Sequence, residues 1–219
     1  MGFQRARTDK HIQERIKEII SAASEIYNSS GYEGLSFSAI SKLTKFTRPT
    51  IYKYFNTKEE ILLKILISDA ESWVASLTNS FKLNKIYSIG EIADIWVDTI
   101  SKNHRLLNLY SMLFTAIEKN VSLEALVEFK KAFINLQESI VKLVSQLFPK
   151  AEMDDIESFI ANHLALALGL YPMCELCEIQ IQAIELSGVH YTPPDFKTVF
   201  KSNLYQQMYC LQQGIHYQK

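Results

Sequence analysis

A nine-residue segment, Thr47–Phe55, combines side chains that can hydrogen-bond to nucleic acid with side chains that must be buried. Its sequence is Thr-Arg-Pro-Thr-Ile-Tyr-Lys-Tyr-Phe, in which Ile51 and Phe55 are four residues apart, as on one face of a helix. Arg48 and Thr50 then face outward in the first turn, where a guanidinium and a hydroxyl can reach base edges in a major groove. The segment predicts a helix that contacts DNA bases.

The same region carries groups that commonly bind phosphate. Tyr52, Lys53 and Tyr54 follow the first turn, and Lys58 begins the next predicted helix. Phenol hydroxyls, ammonium groups and the amides of a helix N-terminus all bind phosphate oxygens. A basic arm, Arg5–Lys10, is expected to assist. These residues predict contacts to the DNA backbone.

Two short helices joined by a tight turn are predicted to position these groups. Ser36 caps the first helix, Thr44-Lys45-Phe46 forms the turn, and Thr47 caps the second helix, with Pro49 in its first turn. The inward side chains of the first helix are Phe37, Ile40 and Leu43. Such a pair, with a basic and hydroxylic second helix, is typical of a helix-turn-helix that binds DNA.

The rest of the chain predicts longer helices. Seven Gly and five Pro in 219 residues provide too few turns for a sandwich or barrel. Apolar residues recur at helical spacing in the segments Asp9–Ser30, Lys58–Phe81, Ile89–Asn103, Arg105–Lys119, Leu123–Phe148, Asp154–Leu186 (kinked at Pro172) and Asp195–Gly214. We therefore predict an all-α fold, with a three-helix helix-turn-helix domain over 1–57 and a larger helical domain over 58–219.

Charge separates the two predicted domains. Residues 1–58 contain ten Lys or Arg and five Asp or Glu, whereas residues 59–219 contain thirteen and nineteen. A basic head on an acidic body lets the head approach a polyanion. No signal peptide is visible, and the charge-free run Ser158–Cys174 is too short and polar to predict a membrane span. We expect a soluble cytoplasmic protein without membrane contact.

The segments Gly31–Ser36 and Thr50–Glu60 resemble the DNA-binding signature of the TetR family of bacterial repressors. The most specific part is Ile-Tyr-x-Tyr-Phe-x-x-Lys-Glu-Glu over 51–60, and the resemblance covers about a quarter of the chain. It implies that bases are contacted by Thr47, Arg48, Pro49 and Thr50. It also implies that Tyr52, Tyr54 and Lys58 hold phosphates.

Three positions depart from the family pattern. Lys45 stands where the family usually has Gly in the turn, which predicts a slightly different turn and an added phosphate contact. Tyr54 replaces a common His, and Pro49 replaces a common Gly, which removes one donor. Ser36 and Lys45 complete the predicted phosphate contacts, together with Tyr52, Lys53, Tyr54 and Lys58.

For the body, the resemblance implies a homodimer that pairs through its last two helices. The sequence agrees, because Asp154–Leu186 is apolar around its whole circumference between Phe159 and Cys174, and two buried sides imply a partner. The last helix supplies an apolar row to this predicted dimer interface: Phe200, Leu204, Met208 and Leu211.

Aromatic residues with a few polar groups lie on the helices that enclose the ligand in similar proteins. The predicted pocket residues are Trp96, Tyr110, Phe114, Phe133, Gln137, Phe159, His163, Tyr171 and Cys174. They suit a small hydrophobic or amphipathic effector. A phosphate-rich ligand would need arginine, and the body has only Arg105. The alternative interpretation is a plain aromatic core.

These observations predict a homodimeric repressor that binds double-stranded DNA at a pseudo-palindromic operator and is released by the effector. One alternative is a ligand-independent DNA-binding protein whose body recruits a protein partner. A second is a metal or redox sensor built on Cys174, Cys177, His163 and His190, although four ligands at structural spacing are absent. Neither a cofactor nor a bound metal is expected. We predict no enzyme, since the body lacks Glu-x-x-His pairs and the chain lacks a Gly-rich phosphate loop.

Overall fold

The computed structural model describes residues 2–82 and 84–215, with side chains described from residue 10 onward. Within these ranges the chain is all-helical, as predicted, and contains no strand. Its ten α-helices are α1 (Gly2–Gly34), α2 (Phe37–Leu43), α3 (Arg48–Ile51), α4 (Lys58–Asn79), α5 (Ile89–Ile100), α6 (His104–Met112), α7 (Leu123–Leu147), α8 (Met153–Cys174), α9 (Glu178–Ser187) and α10 (Phe196–Gln213). The side chains of the predicted Arg5–Lys10 arm lie outside the described residues, except Lys10, which is exposed.

The chain folds into two compact units. The first comprises Met1–Ser68 with Leu113–Lys130, and the second comprises Asp69–Met112 with Lys131–Lys219. The first unit is therefore larger than the predicted 1–57 domain, because it includes the beginning of α4 and the segment that precedes and begins α7. Hydrogen bonds between residues 57–60 and 120–122, described below, are the physical reason.

The first unit packs α1, α2 and α3 around a small apolar core. Ile19, Ile40 and Ile51 are completely buried in it. α1 begins at Gly2, earlier than the predicted Asp9. Its regular conformation is broken at Gly31, as predicted, where φ is 64° and ψ is −164°. A positive φ is readily adopted only by glycine, so this residue fixes how the chain leaves α1.

Two predicted helices are divided in the structure. Arg105–Lys119 forms α6, a π-helical segment (Leu113–Ile117) and a 3₁₀ turn (Glu118–Asn120). Asp154–Leu186 forms α8 and α9. Pro172 lacks an N–H and lies in the last turn of α8, so the helix ends two residues later. Within the described ranges no single helix is long and apolar enough to cross a membrane, and α8 and α9 together are bent by 63°.

The second unit has α10 at its centre, packed against α5 and α8. Phe200, Leu204 and Met208 are completely buried, and Leu211 is 4% exposed. The prediction that these four side chains form the dimer interface is therefore wrong, because they fill the core of their own chain. A helical apolar row shows which face is buried, but it does not show whether that face packs within the chain or against a partner.

Candidate nucleic-acid interface and buried polar cluster

The helix-turn-helix begins at a capped helix. Ser36 Oγ accepts a hydrogen bond from the Ala39 amide at 3.1 Å, which satisfies a free donor at the start of α2. Phe37 and Ile40 are buried as predicted, but Leu43 is 52% exposed. The inward orientation predicted for Leu43 is therefore wrong, because α2 ends at this residue and the chain turns away.

The turn between α2 and α3 is held by Thr44. Its hydroxyl donates to the Ile40 carbonyl at 3.0 Å and accepts from the Phe46 amide at 3.3 Å. Lys45 does not have a positive φ, since Asn84 is the one non-glycine residue with that conformation in the described ranges. Lys45 thus occupies a turn in which no residue needs a left-handed backbone conformation. This agrees with the slightly different turn that the replacement of Gly by Lys45 predicts.

α3 is a short helix fixed by its inner side. Ile51 is completely buried and Phe55 is 4% exposed, as the spacing predicts. Hydrogen bonds continue past the helix as far as the Phe55 amide, which donates to the Ile51 carbonyl at 3.1 Å. Thr47 occupies the N-cap position, but its hydroxyl pairs with that of Thr50 at 3.0 Å instead of a backbone amide.

The residues predicted to contact bases lie together at the start of α3. Thr47, Arg48 and Pro49 are exposed, and Thr50 is half-buried. Ile51, which follows this turn, is completely buried and anchors it to the core of the first unit. The arrangement can present a forked cation, two hydroxyls and a proline ring to a groove.

The residues predicted to contact phosphates surround this turn. Tyr52 is 59% exposed, and its ring packs edge-on against Phe37 with 4.7 Å between centroids. Tyr54 accepts a hydrogen bond from Arg15 at 3.4 Å, which links α1 to the same surface. Lys53 is exposed. The structure brings these groups together on the side of α3 that is turned to solvent.

Two predicted phosphate ligands have partners within the chain. Lys45 Nζ lies 3.3 Å from a carboxylate oxygen of Glu18, and both side chains are exposed, so the pair is weak. Lys58 Nζ donates to the Tyr32 carbonyl at 2.9 Å and lies 3.7 Å from the centroid of the Tyr32 ring. Lys58 therefore has a structural task that its sequence position did not reveal.

Tyr32 and Glu59 extend this cluster. The Tyr32 hydroxyl donates to the Glu59 carboxylate at 2.5 Å, and Glu59 is buried. This hydrogen bond, with burial, raises the pKa of Tyr32 to about 12. The phenol therefore stays protonated, and the last turn of α1 is tied to the beginning of α4.

Glu60 is a second buried acid that the sequence interpretation underestimated. The Glu60 amide donates to Thr57 Oγ1 at 3.3 Å, which is half of the capping pair that Thr57 and Glu60 suggest. The carboxylate accepts four hydrogen bonds, from the amide and side chain of Asn56 at 2.7 and 3.1 Å and from the amide and hydroxyl of Ser122 at 3.2 and 2.7 Å. Burial alone would raise the pKa of Glu60, but these hydrogen bonds outweigh it and lower the pKa.

The Thr57 hydroxyl donates to the Asn120 carbonyl at 2.8 Å. Together with Ser122, this contact joins the exit of the helix-turn-helix to the turn before α7. Residues 57 and 120 are 63 positions apart, so no local sequence pattern could have revealed the joint.

The second unit contains a buried cluster of aromatic rings: Trp73, Trp96, Phe159 and His163. The ring centroids of Trp96 and His163 are 5.2 Å apart, and those of Phe159 and His163 are 5.3 Å apart. His163 Nδ1 donates to the Phe159 carbonyl at 3.2 Å, and burial lowers the pKa of His163 to about 4, so the ring is neutral. His163 Nε2 and Trp96 Nε1 are buried without a hydrogen-bond partner.

The other predicted pocket residues have contacts of their own. Tyr110 stacks on Phe133 at 5.9 Å, and the Tyr171 hydroxyl lies 3.1 Å from His104 Nδ1. Gln137 lines an open groove between α7 and α8. Phe114 is 49% exposed and belongs to the first unit. That all nine residues line one pocket stays a prediction.

The three cysteines are free and differ in their exposure to solvent. Cys174 is half-buried, Cys177 and Cys210 are exposed, and burial raises the pKa of Cys174. In the described part of the chain no three His, Cys, Asp or Glu side chains are grouped to hold a metal ion.

The outer faces of α8 and α10 form an exposed surface without charge. Ala161, Ala165 and Gly169 follow at intervals of four on α8, and Tyr205 and Tyr209 do so on α10; all five are exposed. Residues 158–174 and 202–215 contain no acidic residue, lysine or arginine. An exposed surface with this composition is typical of a protein interface.

Solved structures with this fold are bacterial transcriptional regulators. A regulator of the TetR/AcrR family from Thermobifida fusca shares 20% identity, covers 93% of this chain and 100% of its own, and has a TM-score of 0.52. A putative TetR-family regulator from Syntrophomonas wolfei shares 16% identity, covers 94% and 99%, and has a TM-score of 0.53. The fatty acid degradation regulator FadR from Bacillus halodurans shares 14% identity, covers 93% and 97%, and also has a TM-score of 0.53. No curated protein sequence matches the chain.

Two family models together match most of the chain. Residues 19–65 match the bacterial regulatory proteins of the tetR family, and residues 68–211 match the tetracyclin repressor-like C-terminal domain. Members of the family are transcriptional regulators that bind DNA and form dimers, and they are not enzymes. The capped helix-turn-helix, the exposed first turn of α3 and these matches show that the chain belongs to the TetR family of transcriptional regulators.

Proposed function

We propose that this protein is a dimeric repressor that binds a pseudo-palindromic operator and releases it when a small hydrophobic or amphipathic effector binds. The observation that carries the DNA-binding part is the exposed turn Thr47–Thr50, held in place by buried Ile51 and Phe55. This role places the protein in the cytoplasm, with the DNA it regulates.

In this proposal Arg48 and Thr50 read base edges, with Thr47 and Pro49 in contact with the same groove. A guanidinium bonds guanine in a bidentate manner, which supplies about 1–3 kcal/mol of discrimination against a wrong base. The phosphates on either side are held by Tyr52, Lys53, Tyr54 and Lys58, with Ser36 and Lys45 at the edge. These groups fix the register of α3 and carry no sequence information.

The proposed pseudo-palindromic operator requires two copies of the chain. Two copies of α3 enter successive major grooves about 34–36 Å apart. We propose that the dimer face is the uncharged outer surface of α8 and α10 and not the buried row of α10. Ala161, Ala165 and Gly169 would allow close approach of two helices, and Tyr205 and Tyr209 supply aromatic area.

The buried polar pair supports an effector site. The Trp96 indole N–H can donate and neutral His163 Nε2 can accept, and both lack partners. A buried polar group without a hydrogen bond costs about 1–3 kcal/mol, so an uncharged group such as a hydroxyl is favoured there. Arg105, the one arginine of the body, forms a double hydrogen bond with Asp69 at 2.7 and 2.6 Å, which does not favour a phosphate-rich effector.

Release of the operator would begin at the hydrogen bonds between Glu60 and Ser122. Any movement of the turn 118–122 would pull on the carboxylate that also binds Asn56, at the end of the helix-turn-helix. A coupling free energy of about 1–3 kcal/mol is enough to change operator affinity 5- to 150-fold. The effector then acts by favouring one position of this turn.

A second candidate is a ligand-independent DNA-binding protein whose body recruits a protein partner. The observation that favours it is the packing of the aromatic cluster, where Trp96, Phe159 and His163 are at most 3% exposed and already contact one another. A buried water could then satisfy the polar pair. Electron density beside Trp96 Nε1 and His163 Nε2, in crystals grown without added ligand, separates an organic molecule from a single water.

The experiment for DNA binding is selection of bound duplexes from a random library with the purified full-length protein. The proposal predicts an inverted repeat with half-sites about one helical turn apart. Selection that enriches no motif, or only a single half-site, would contradict a dimeric operator-binding repressor.

A further inference from the structure

α9 is a helix that its own chain does not bury. None of its ten residues is buried, and no residue from Pro172 to Asp195 is. Its apolar side chains and those just beyond it are largely exposed: Ile179 by 74%, Ile181 by 46%, Leu186 by 89%, Val189 by 63% and Tyr191 by 44%.

Such a helix needs a surface to pack on. Isolated helices shorter than about 12–15 residues are marginal in water, and α9 has ten. Five large apolar side chains within thirteen residues also exceed the scattered exposure that is normal for a monomer. We therefore expect another surface to cover the apolar side chains of α9.

We propose that α9 docks on a second copy of this chain, in the groove between the partner's α7 and α8. α9 leaves α8 and leads into α10, so it is continuous with the uncharged outer surface of those two helices. The inference rests on the proposed dimer face and adds to it an arm that reaches across to the partner.

Symmetry gives the location of the docking site. A two-fold axis perpendicular to α8 pairs the helix antiparallel with its own copy. If the small-residue positions meet at Ala165, then Gly169 faces the partner's Ala161, and Met173 faces the partner's Glu157. The chain beyond Cys174 then continues toward the N-terminal half of the partner's α8.

A groove is present at that place. It lies between α7 and α8, has a volume of about 290 Å³, and is lined by Ile134, Gln137, Glu138, Val141, Glu157, Ile160 and Ala161. Ile134 is 52% exposed within its own chain, so an apolar side chain from α9 would complete its burial. The groove begins at Ala161, which also belongs to the proposed dimer face.

Charge favours this placement along the α7 edge of the groove and not along its lining, which includes Glu138 and Glu157. Residues 172–195 contain four acidic residues, Glu175, Glu178, Glu185 and Asp195, and no lysine or arginine. On α7, exposed Lys131 and Lys142 lie within a turn of Ile134 and Glu138, respectively. The contact would be apolar at its centre, with lysines of one copy near acids of the other.

The first test measures dimer dissociation by sedimentation of the full-length protein. The double variant I179K/L186K should raise the dimer dissociation constant at least tenfold, because two apolar contacts per arm are lost. Ile86→Lys is the matched control, since Ile86 is 95% exposed in the loop between α4 and α5 and should leave the constant unchanged. A double variant that dimerises as tightly as the wild type overturns the inference.

The second test locates the arm. Cys177 stands at the N-cap of α9 and is exposed, so a C174S/C210S background leaves it as the one natural thiol. Adding Glu157→Cys or Gln137→Cys should give a covalent dimer with a short bismaleimide, whereas Asp98→Cys on α5 should not. Absence of a cross-link at both groove positions overturns the placement.

Different results would refute the proposed dimer face and the proposed α9 arm. If the wild type sediments as a monomer at micromolar concentration, the proposed dimer face and the arm both fail. If the wild type is a dimer that Gly169→Glu dissociates but the arm variant does not weaken, only the arm is refuted.

Discussion

The two compact units differ in how their buried polar groups are satisfied. In the first unit, Glu60 is buried and accepts four hydrogen bonds, and Tyr32, Lys58 and Glu59 satisfy one another. In the part of the chain that the structure describes, all four buried side-chain polar atoms without a partner lie in the second unit: Trp96 Nε1, Ser101 Oγ, His163 Nε2 and Gln207 Oε1. The described side chains of the first unit thus include no such atom, whereas the second unit contains four, and two of them belong to the proposed effector site.

The two units also differ in the charge of their exposed surfaces. The first unit presents basic and hydroxylic groups around α3, which need a polyanion from outside the chain. The second unit pairs Lys201 with Asp94 and Lys197 with Asp98, between α10 and α5, and leaves the outer faces of α8 and α10 without charge. We propose that the first surface binds DNA and that the second binds a partner copy, and each of the following variants tests one side of this contrast.

The largest effect is expected for Gly169→Glu, which should convert the dimer to monomers. A Cβ atom added at Gly169 meets no atom within 4 Å in its own chain, and the residue is exposed, so the fold should tolerate a side chain there. At the dimer face the same carboxylate would be buried without a partner, which costs about 3–5 kcal/mol. Sedimentation measures the change, and Gly169→Ala should remain dimeric. A dimeric Gly169→Glu variant would place the interface elsewhere.

Leu204→Ala tests whether the apolar row of α10 is core. We expect a loss of about 2–5 kcal/mol in the free energy of unfolding, as for other buried leucines. Urea unfolding in the monomeric Gly169→Glu background avoids any contribution from dimerisation. The control is Tyr205→Ala, whose side chain is 45% exposed and should matter far less in a monomer. Equal small losses for both variants would mean that Leu204 does not fill the core.

Glu60→Gln tests the joint in the first unit. Hydrogen bonds to a charged group contribute about 1.5–3 kcal/mol, so the variant should lower the free energy of unfolding by about that amount. The pKa of Glu60 is lowered by folding, so its stabilisation is present above the ordinary glutamate pKa of about 4.3 and is lost as pH falls through the lower folded value.

The wild type should therefore lose stability on acidification more steeply than Glu60→Gln when unfolding is followed between pH 7 and 3. Exposed Glu33 provides the control, and Glu33→Gln should keep the wild-type pH profile. Parallel pH profiles for the wild type and Glu60→Gln would show that the carboxylate contributes nothing as an anion.

Lys58→Ala tests a phosphate contact that also has a structural task. Loss of one phosphate contact per subunit should reduce the slope of log affinity against log salt by about one unit, on any DNA sequence. Lys64→Ala is the control, because Lys64 pairs with Glu128 at 2.7 Å and is not a predicted contact. A salt slope that Lys58→Ala leaves unchanged would confine Lys58 to its bonds with Tyr32.

The sequence predicted those features that depend on residues close together in the chain. Ser36 caps α2 because a hydroxyl accepts from an amide three residues on, and Ile51 and Phe55 are buried because they share a helix face. The break at Gly31 follows from a conformation that glycine adopts easily.

What the sequence did not predict depends on residues far apart. The bonds from Ser122 to Glu60 join positions 62 residues apart. Leu43 has the apolar character of a core residue but stands at the end of α2, where no helix covers it. The row from Phe200 to Leu211 has the same spacing whether it packs in its own chain or on a partner, so only the fold could distinguish the two.

The central claim, that the first turn of α3 reads bases, is tested most directly by Arg48→Ala. Binding of wild type and variant should be compared on the selected operator, on operators changed at one base pair, and on random duplex at one salt concentration. We expect the variant to lose about 1–3 kcal/mol on the operator, to become indifferent to one position per half-site, and to bind random DNA almost as the wild type does. Equal losses on operator and random DNA would contradict the claim and would assign Arg48 to the phosphate backbone.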